Sequence, residues 1–172
     1  MTDEIDLTVP FHTRIRVERQ DRDAEIGLVT VDAKSAGPPL HQHEGQDEHW
    51  TCVEGQLSLQ CGKEKKTLSA GEVHIVPRGT PHTYWNDGAA PCVFRYELNP
   101  GSRFTSMMRT FAMLAREGRL RGTSDIRSIM HMAQVFIDFG DHVRAVAPPH
   151  RVMRAMAATG RTLGLVSRIE PQ

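Results

Sequence analysis

Between Pro38 and Gly55 the chain reads PPLHQHEGQDEHWTCVEG, with His41, His43, Glu44, Asp47, Glu48 and His49 in close succession. Histidine and carboxylate at that density make either a wet, charged loop or a metal site. His41 and His43 stand two apart, so on an extended chain both imidazoles leave the same face. Glu48 opens the next strand after the short polar link EGQD, which can fold back and set its carboxylate beside them. Two nitrogens and one oxygen arriving from adjacent strands begin a metal site. A fourth donor is at hand in GEVHIVPRGTPHTYWN (71–86), where His82 follows two prolines and a glycine that force tight turns. An isolated histidine pair is more often solvated than liganding, and either stretch alone is weak. Together, and in order, they point to a metal.

The elements that must hold these side chains are strands. EIGLVTVDA (25–33), HWTCV (49–53), QLSLQC (56–61), EVHIVP (72–77), HTYW (82–85) and CVFRYEL (92–98) are short and rich in β-branched or aromatic residues. Glycine, proline and Asn-Asp-Gly separate them, at the spacing of an all-β sandwich or barrel. LQCGKEKKTL reads as a hairpin with a basic tip from Gly62 to Lys66. After residue 101 the character changes. Phe104, Met107, Met108, Phe111 and Leu114 recur at helical spacing, with Ser102 as N-cap and Gly118 as stop. A second helix starts at Ser124 or Asp125 and runs toward Gly140. A third starts at Pro148–Pro149 and ends before Gly160. The chain therefore divides into an N-terminal extension (1–24), a barrel (25–100) and a helical extension (101–172).

The apolar fraction of 39% and charged fraction of 24% are ordinary for a globular protein. No apolar run approaches the length of a membrane helix. The N-terminus carries acids where a secretory signal would be basic, so the expected compartment is cytoplasmic. Cys52, Cys61 and Cys92 are an odd set with no disulfide framework and read as small buried apolar residues. Residues 1–100 carry 10 basic and 16 acidic side chains, and residues 101–172 carry 11 and 5. The arginines of the second half are scattered without interleaved aromatics, which argues against a nucleic-acid or membrane surface. They fit basic helices packed near an acidic barrel.

The two histidine stretches resemble the two motifs of the cupin superfamily. The first is matched by His41, His43, Glu48 and Gly55, and the second by Gly71, Pro77, Gly79, His82 and Asn86. The departure is upstream, where Gly37 stands closer to His41 than the family's early glycine does. The resemblance covers roughly residues 25–100. It implies an all-β cupin barrel (double-stranded β-helix, or jelly roll) followed by the α-helical C-terminal extension. It also implies one divalent transition metal (Fe, Mn, Ni, Co or Zn) held by His41, His43, Glu48 and His82.

Three imidazoles and one carboxylate leave open positions for water, dioxygen or a chelating substrate, unlike a closed structural zinc site. Glu48, loosened from the metal, is the best general-base candidate. Tyr84 and Asn86 share the face of His82, and Trp50 and Cys52 that of Glu48. Tyr84 is the candidate for orienting a substrate oxygen, against a core role for its ring. Cys92, Phe94, Tyr96 and Leu98 should face inward. His49 and His74 fall on the opposite parity and read as non-ligands, while His12, His131, His142 and His150 read as solvated or capping. A small-molecule partner follows, and the leading function is a mononuclear-metal dioxygenase similar to quercetinase-like cupins. A redox-neutral isomerase, lyase or cyclase and a non-catalytic ligand-binding cupin are the alternatives. The apolar helical stripes further predict a homodimer, with residues 102–160 packed on a barrel in cis or on the partner's.

Overall fold

Alternation decides which side of each strand is dry. The structure, a computed structural model, describes residues 3–166. On β10 (Cys92–Asn99), Cys92, Phe94, Tyr96 and Leu98 are buried while Val93, Arg95 and Glu97 are partly exposed. On β5 (Asp47–Glu54) the same rhythm buries Glu48, Trp50 and Cys52. These two strands pair antiparallel at the centre of a six-stranded sheet in which β1 (Glu4–Leu7), β2 (Thr13–Gln20) and β3 (Glu25–Val31) follow one another beside β10. Beyond β5 this sheet ends at β8 (Val73–Val76).

The second sheet has five strands, ordered β11 (Val143–Ala145), β4 (His41–His43), β9 (His82–Trp85), β6 (Gln56–Cys61) and β7 (Glu64–Ser69). Its Leu57, Leu59 and Leu68 meet Trp50, Phe94 and Leu98 in one apolar interior. Each such fully buried side chain contributes about 2 kcal/mol of transfer free energy. The hairpin β6–β7 closes on two residues, Gly62 and Lys63, tighter than the expected tip.

Three strands lie where none was expected. The segment before residue 25 supplies β1 and β2, joined by a single turn, α1 (Thr8–Phe11). Inside the helical extension, β11 pairs with β4, setting Ala145 opposite His41 and Val143 opposite His43.

The helices are α2 (Phe104–Arg116), α3 (Ile126–Asp138) and α4 (His150–Thr162). The α2 stripe of Met107, Met108, Phe111 and Leu114 is buried against the same chain's barrel, so the stripe behind the homodimer expectation is covered in cis. Arg103, rather than Ser102, is the α2 N-cap, although Ser102 Oγ still accepts from the Phe104 amide at 3.1 Å. The start of α2 is also held by the barrel: Glu25 Oε2 accepts from the Thr105 amide at 3.0 Å and from its hydroxyl at 3.3 Å. This satisfies a first-turn N–H that no helical carbonyl can reach. Asp125 caps α3, accepting from the amides of Arg127 and Ser128. Gly160 does not end α4. A Cβ there would lie 2.8 Å from Val166 and 3.4 Å from Met130 on α3, so glycine permits close helix contact. No helix among the described residues is long and apolar enough to cross a membrane.

His131 also differs from its expected solvated or capping role. It is buried on α3 with neither ring nitrogen hydrogen-bonded. Burial, with Arg119 and Arg127 adding to it, holds its imidazole down at about 4. The unfolded chain takes up this proton near pH 6.5 and the fold does not, so stability present above 6.5 is lost as pH falls toward 4. The loss is roughly 3 kcal/mol. His131→Leu is expected to flatten the stability profile over that window, read as urea midpoints at several pH values. Parallel profiles for parent and variant would show that His131 is hydrated or paired in solution.

Candidate metal centre

Three of the four expected donors sit on one sheet and the fourth on the other. His41 on β4 lies directly opposite His82 on β9 in an antiparallel pair, and His43 is two residues along the same strand as His41. Such spacing keeps both imidazoles on the inner face. Glu48 reaches in from β5, paired to Leu98 on one side and Val76 on the other. The approach of β4 is shaped by Gly37, whose φ is +67° and where a Cβ would lie 1.9 Å from the Tyr84 carbonyl oxygen. Only glycine fits that contact and that backbone region. The upstream departure from the family pattern therefore still provides its turn.

The ligand atoms of His41, His43 and His82 all lie within 4.8 Å of one another. Glu48 Oε2 is 3.1 Å from His82 Nε2 and 3.5 Å from His43 Nε2. All four residues are buried. His41 Nδ1 is 2.9 Å from the Pro39 carbonyl and His82 Nδ1 is 2.7 Å from that of Thr80. A carbonyl accepts only, so each Nδ1 carries the proton and donates, leaving Nε2 with its lone pair facing inward. His43 Nε2, His82 Nε2 and Glu48 Oε2 are buried without any hydrogen-bond partner. Lone pairs converging from two sheets with no donor between them fit a cation, and the set has the chemistry to hold a metal ion.

Burial pushes the His41 imidazole well below its ordinary value, and the neighbouring His82 and His43 push the same way. Burial alone would raise the Glu48 carboxyl, but His43 and His82 beside it outweigh that and hold it well below the usual carboxylate range. His41 is thus kept neutral and Glu48 ionised, the forms in which each can hold a metal.

The centre opens on a cavity of about 40 Å3. Trp50, Phe94 and Tyr96 wall it from the barrel, with Leu7 and Phe11 from the N-terminal segment. Above, α2 closes it with Phe104, Met107, Met108 and Phe111, and the Phe104 ring stands 5.8 Å from that of His43. Tyr84 lies on this wall, as its parity predicted, with its hydroxyl beside Thr13. Asn86 is instead a turn residue, donating to the carbonyls of Val31 and Ala90 and accepting from the Gly88 amide. Trp50 and Tyr96 face the cavity as their parity predicts, but their donor groups were not singled out: the Trp50 indole N–H is buried without a partner, and the Tyr96 hydroxyl is buried beside Thr105. His49 lies outside the cluster on the outer parity of β5. His74 is also outside it, yet it shares the inner parity of Val76, because Val73 and Ile75 are the outward, exposed side chains of β8.

Residues 27–100 match the Cupin_2 family model, described as a cupin domain. Residues 27–100 form a cupin domain. Among solved structures, it superposes on KdgF from Halomonas sp. with a TM-score of 0.54 and 22% identity, over 60% of this cupin and 92% of that chain. An RmlC-like cupin from Shewanella frigidimarina gives 0.54 and 16% identity, over 61% and 89%. Among curated proteins, oxidoreductase iacF of Pestalotiopsis fici is 39% identical over 56 residues, 32% of this cupin. That match spans only 28% of the length of iacF.

If the converging lone pairs hold a metal, His43→Ala should lower bound divalent metal well below one equivalent, measured by elemental analysis of untagged protein. The parent should gain thermal stability when the metal is added back, since the ion binds the folded donors and not the open chain. Full metal content in His43→Ala would exclude this imidazole as a ligand.

Proposed function

We propose that this cupin is a mononuclear-metal dioxygenase acting on a small, neutral, largely apolar molecule, with His41, His43, Glu48 and His82 as the ligands. The observation that carries the reading is the wall of the cavity. Its lining is aromatic and aliphatic apart from the donors, Thr13 and the two tyrosines, and no described lining residue is lysine or arginine. Phosphate or carboxylate substrates need charge-assisted donors, which this wall lacks. An aromatic or dicarbonyl compound that chelates through neutral or weakly acidic oxygens suits it. The short match to a protein named an oxidoreductase supports the same direction.

A bound divalent ion would supply a Lewis-acid centre with open positions and, where redox-active, the means to reduce dioxygen. The chain's own residues do the rest. Glu48, held ionised among the imidazoles, is the base that takes a proton from a substrate hydroxyl or activated carbon. The Trp50 indole N–H can donate to a substrate oxygen without first breaking a bond, whereas the Tyr96 hydroxyl interacts with Thr105 and that of Tyr84 with Thr13. The α2 side chains keep water from the centre, which strengthens every polar contact inside it.

The test is dioxygen uptake by metal-reconstituted protein against a panel of flavonols, catechols and β-diketones. Glu48→Gln is nearly isosteric and still offers an oxygen, but it cannot take the proton. It should keep at least part of the metal while turnover falls on the order of a hundredfold. Turnover without dioxygen uptake would assign a redox-neutral reaction instead. Binding without turnover would assign a ligand-binding cupin.

A further inference from the structure

The cavity at the centre is too small for the molecule the site calls for. An apolar cavity of about 150 Å3 takes a benzene ring, whereas a single water needs some 10–15 Å3. At about 40 Å3 the chamber over the metal centre suits a few small molecules such as water or dioxygen. A second chamber of about 80 Å3 lies between α3, α4 and β11. Pro39 and Phe136 belong to the walls of both. Together the two chambers approach the size that a ring requires.

We propose that the α3–α4 chamber receives the apolar body of the molecule whose polar end sits at the metal centre, with Phe136 as the gate between them. This rests on the metal-centre reading above. Every described residue lining the second chamber is apolar, so nothing there holds water in place. Its space comes from small side chains, Ala133, Ala145 and Ala147. Its remaining walls include Met132, Met153 and Met156, unbranched side chains that repack easily around a guest. Phe136 is buried, lines both chambers and meets Phe111 of the α2 cover edge-on at 5.9 Å, so its ring stands where turning it would join them. The occupant is an elongated neutral compound with two chelating oxygens at one end and an apolar chain or ring at the other.

The probes are catechol and its 4-ethyl, 4-butyl and 4-hexyl homologues, titrated by calorimetry into the full chain loaded with zinc, which carries no redox reaction. Affinity is expected to rise about fourfold per methylene until the chamber is full, the transfer value for a buried CH2. Ala133→Leu, or the milder Ala133→Val if the first folds poorly, should flatten that rise by filling the chamber. Phe136→Ala should steepen it for the longer homologues. Catechol binding with no gain along the series overturns the chamber assignment and leaves the metal centre standing. A gain that survives both Ala133 variants overturns it equally, because the chain then lies elsewhere. Failure of every catechol to bind overturns the metal-centre reading and this proposal with it.

Discussion

Four lone-pair donors facing one another across the gap between two sheets are the constraint on which the rest of this fold depends. His41, His43 and His82 come from one sheet and Glu48 from the other, and only antiparallel registers fixed on both sides bring them together. A buried acceptor left unpaired costs about 1–3 kcal/mol, so the cluster is a liability to folding unless a cation or a proton enters it. The backbone carbonyls of Pro39 and Thr80 remove one escape, since they fix the protons of His41 and His82 on the outward nitrogens. A bound cation would offset that folding cost, and stability and metal affinity would then be one linked quantity.

The helical extension is best understood as the other half of the same site. A barrel this short cannot cover its own mouth, and α2 supplies the missing wall. Its anchor is Glu25, a carboxylate that burial raises above its ordinary range, with the Thr105 bonds offsetting part of the rise. Charge then plays a lesser part than the acidic barrel and basic tail implied. Arg109 meets Asp3 and Gln20, and Arg144 meets Glu44, but these pairs are solvent-exposed and each is worth at most about 1 kcal/mol. The apolar stripe, more than the charge asymmetry, holds the tail.

Much of this was legible because both motifs place chemistry and turn signals in one register. The strands around Trp50, Leu57, His82 and Phe94 follow from alternation, and α2 and α3 from helical spacing. The β2 strand shows why other parts were hidden. Thr13, Ile15 and Val17 do alternate with Arg14, Arg16 and Glu18, yet only the first half of the strand is dry, so its charges dominate the reading. Parity failed at His74 because β8 turns Val73 and Ile75 outward and Val76 inward, so apolar residues stand on both faces of this edge strand. Periodicity says which face of a helix is dry and never what it faces. The α2 stripe was therefore visible while its destination, the roof of the metal centre, was not. His131 is the same case, for nothing local marks an imidazole that tertiary packing will bury.

The small cavity raises the question of which part moves to admit a molecule. Displacing α2 would break the Glu25–Thr105 bonds and expose Met107, Phe111 and Leu114, each costing a few kcal/mol to uncover. Rotating one phenylalanine among methionines costs far less, since unbranched side chains follow it and no hydrogen bond is lost. The polar anchors of the cover are therefore at the start of α2, while its soft contacts are where α3 and α4 meet the cavity. A fold that must exclude water and still accept an apolar guest gains from that separation. The rigid side holds the four donors in register, and under the proposal above the compliant side would choose what reaches them.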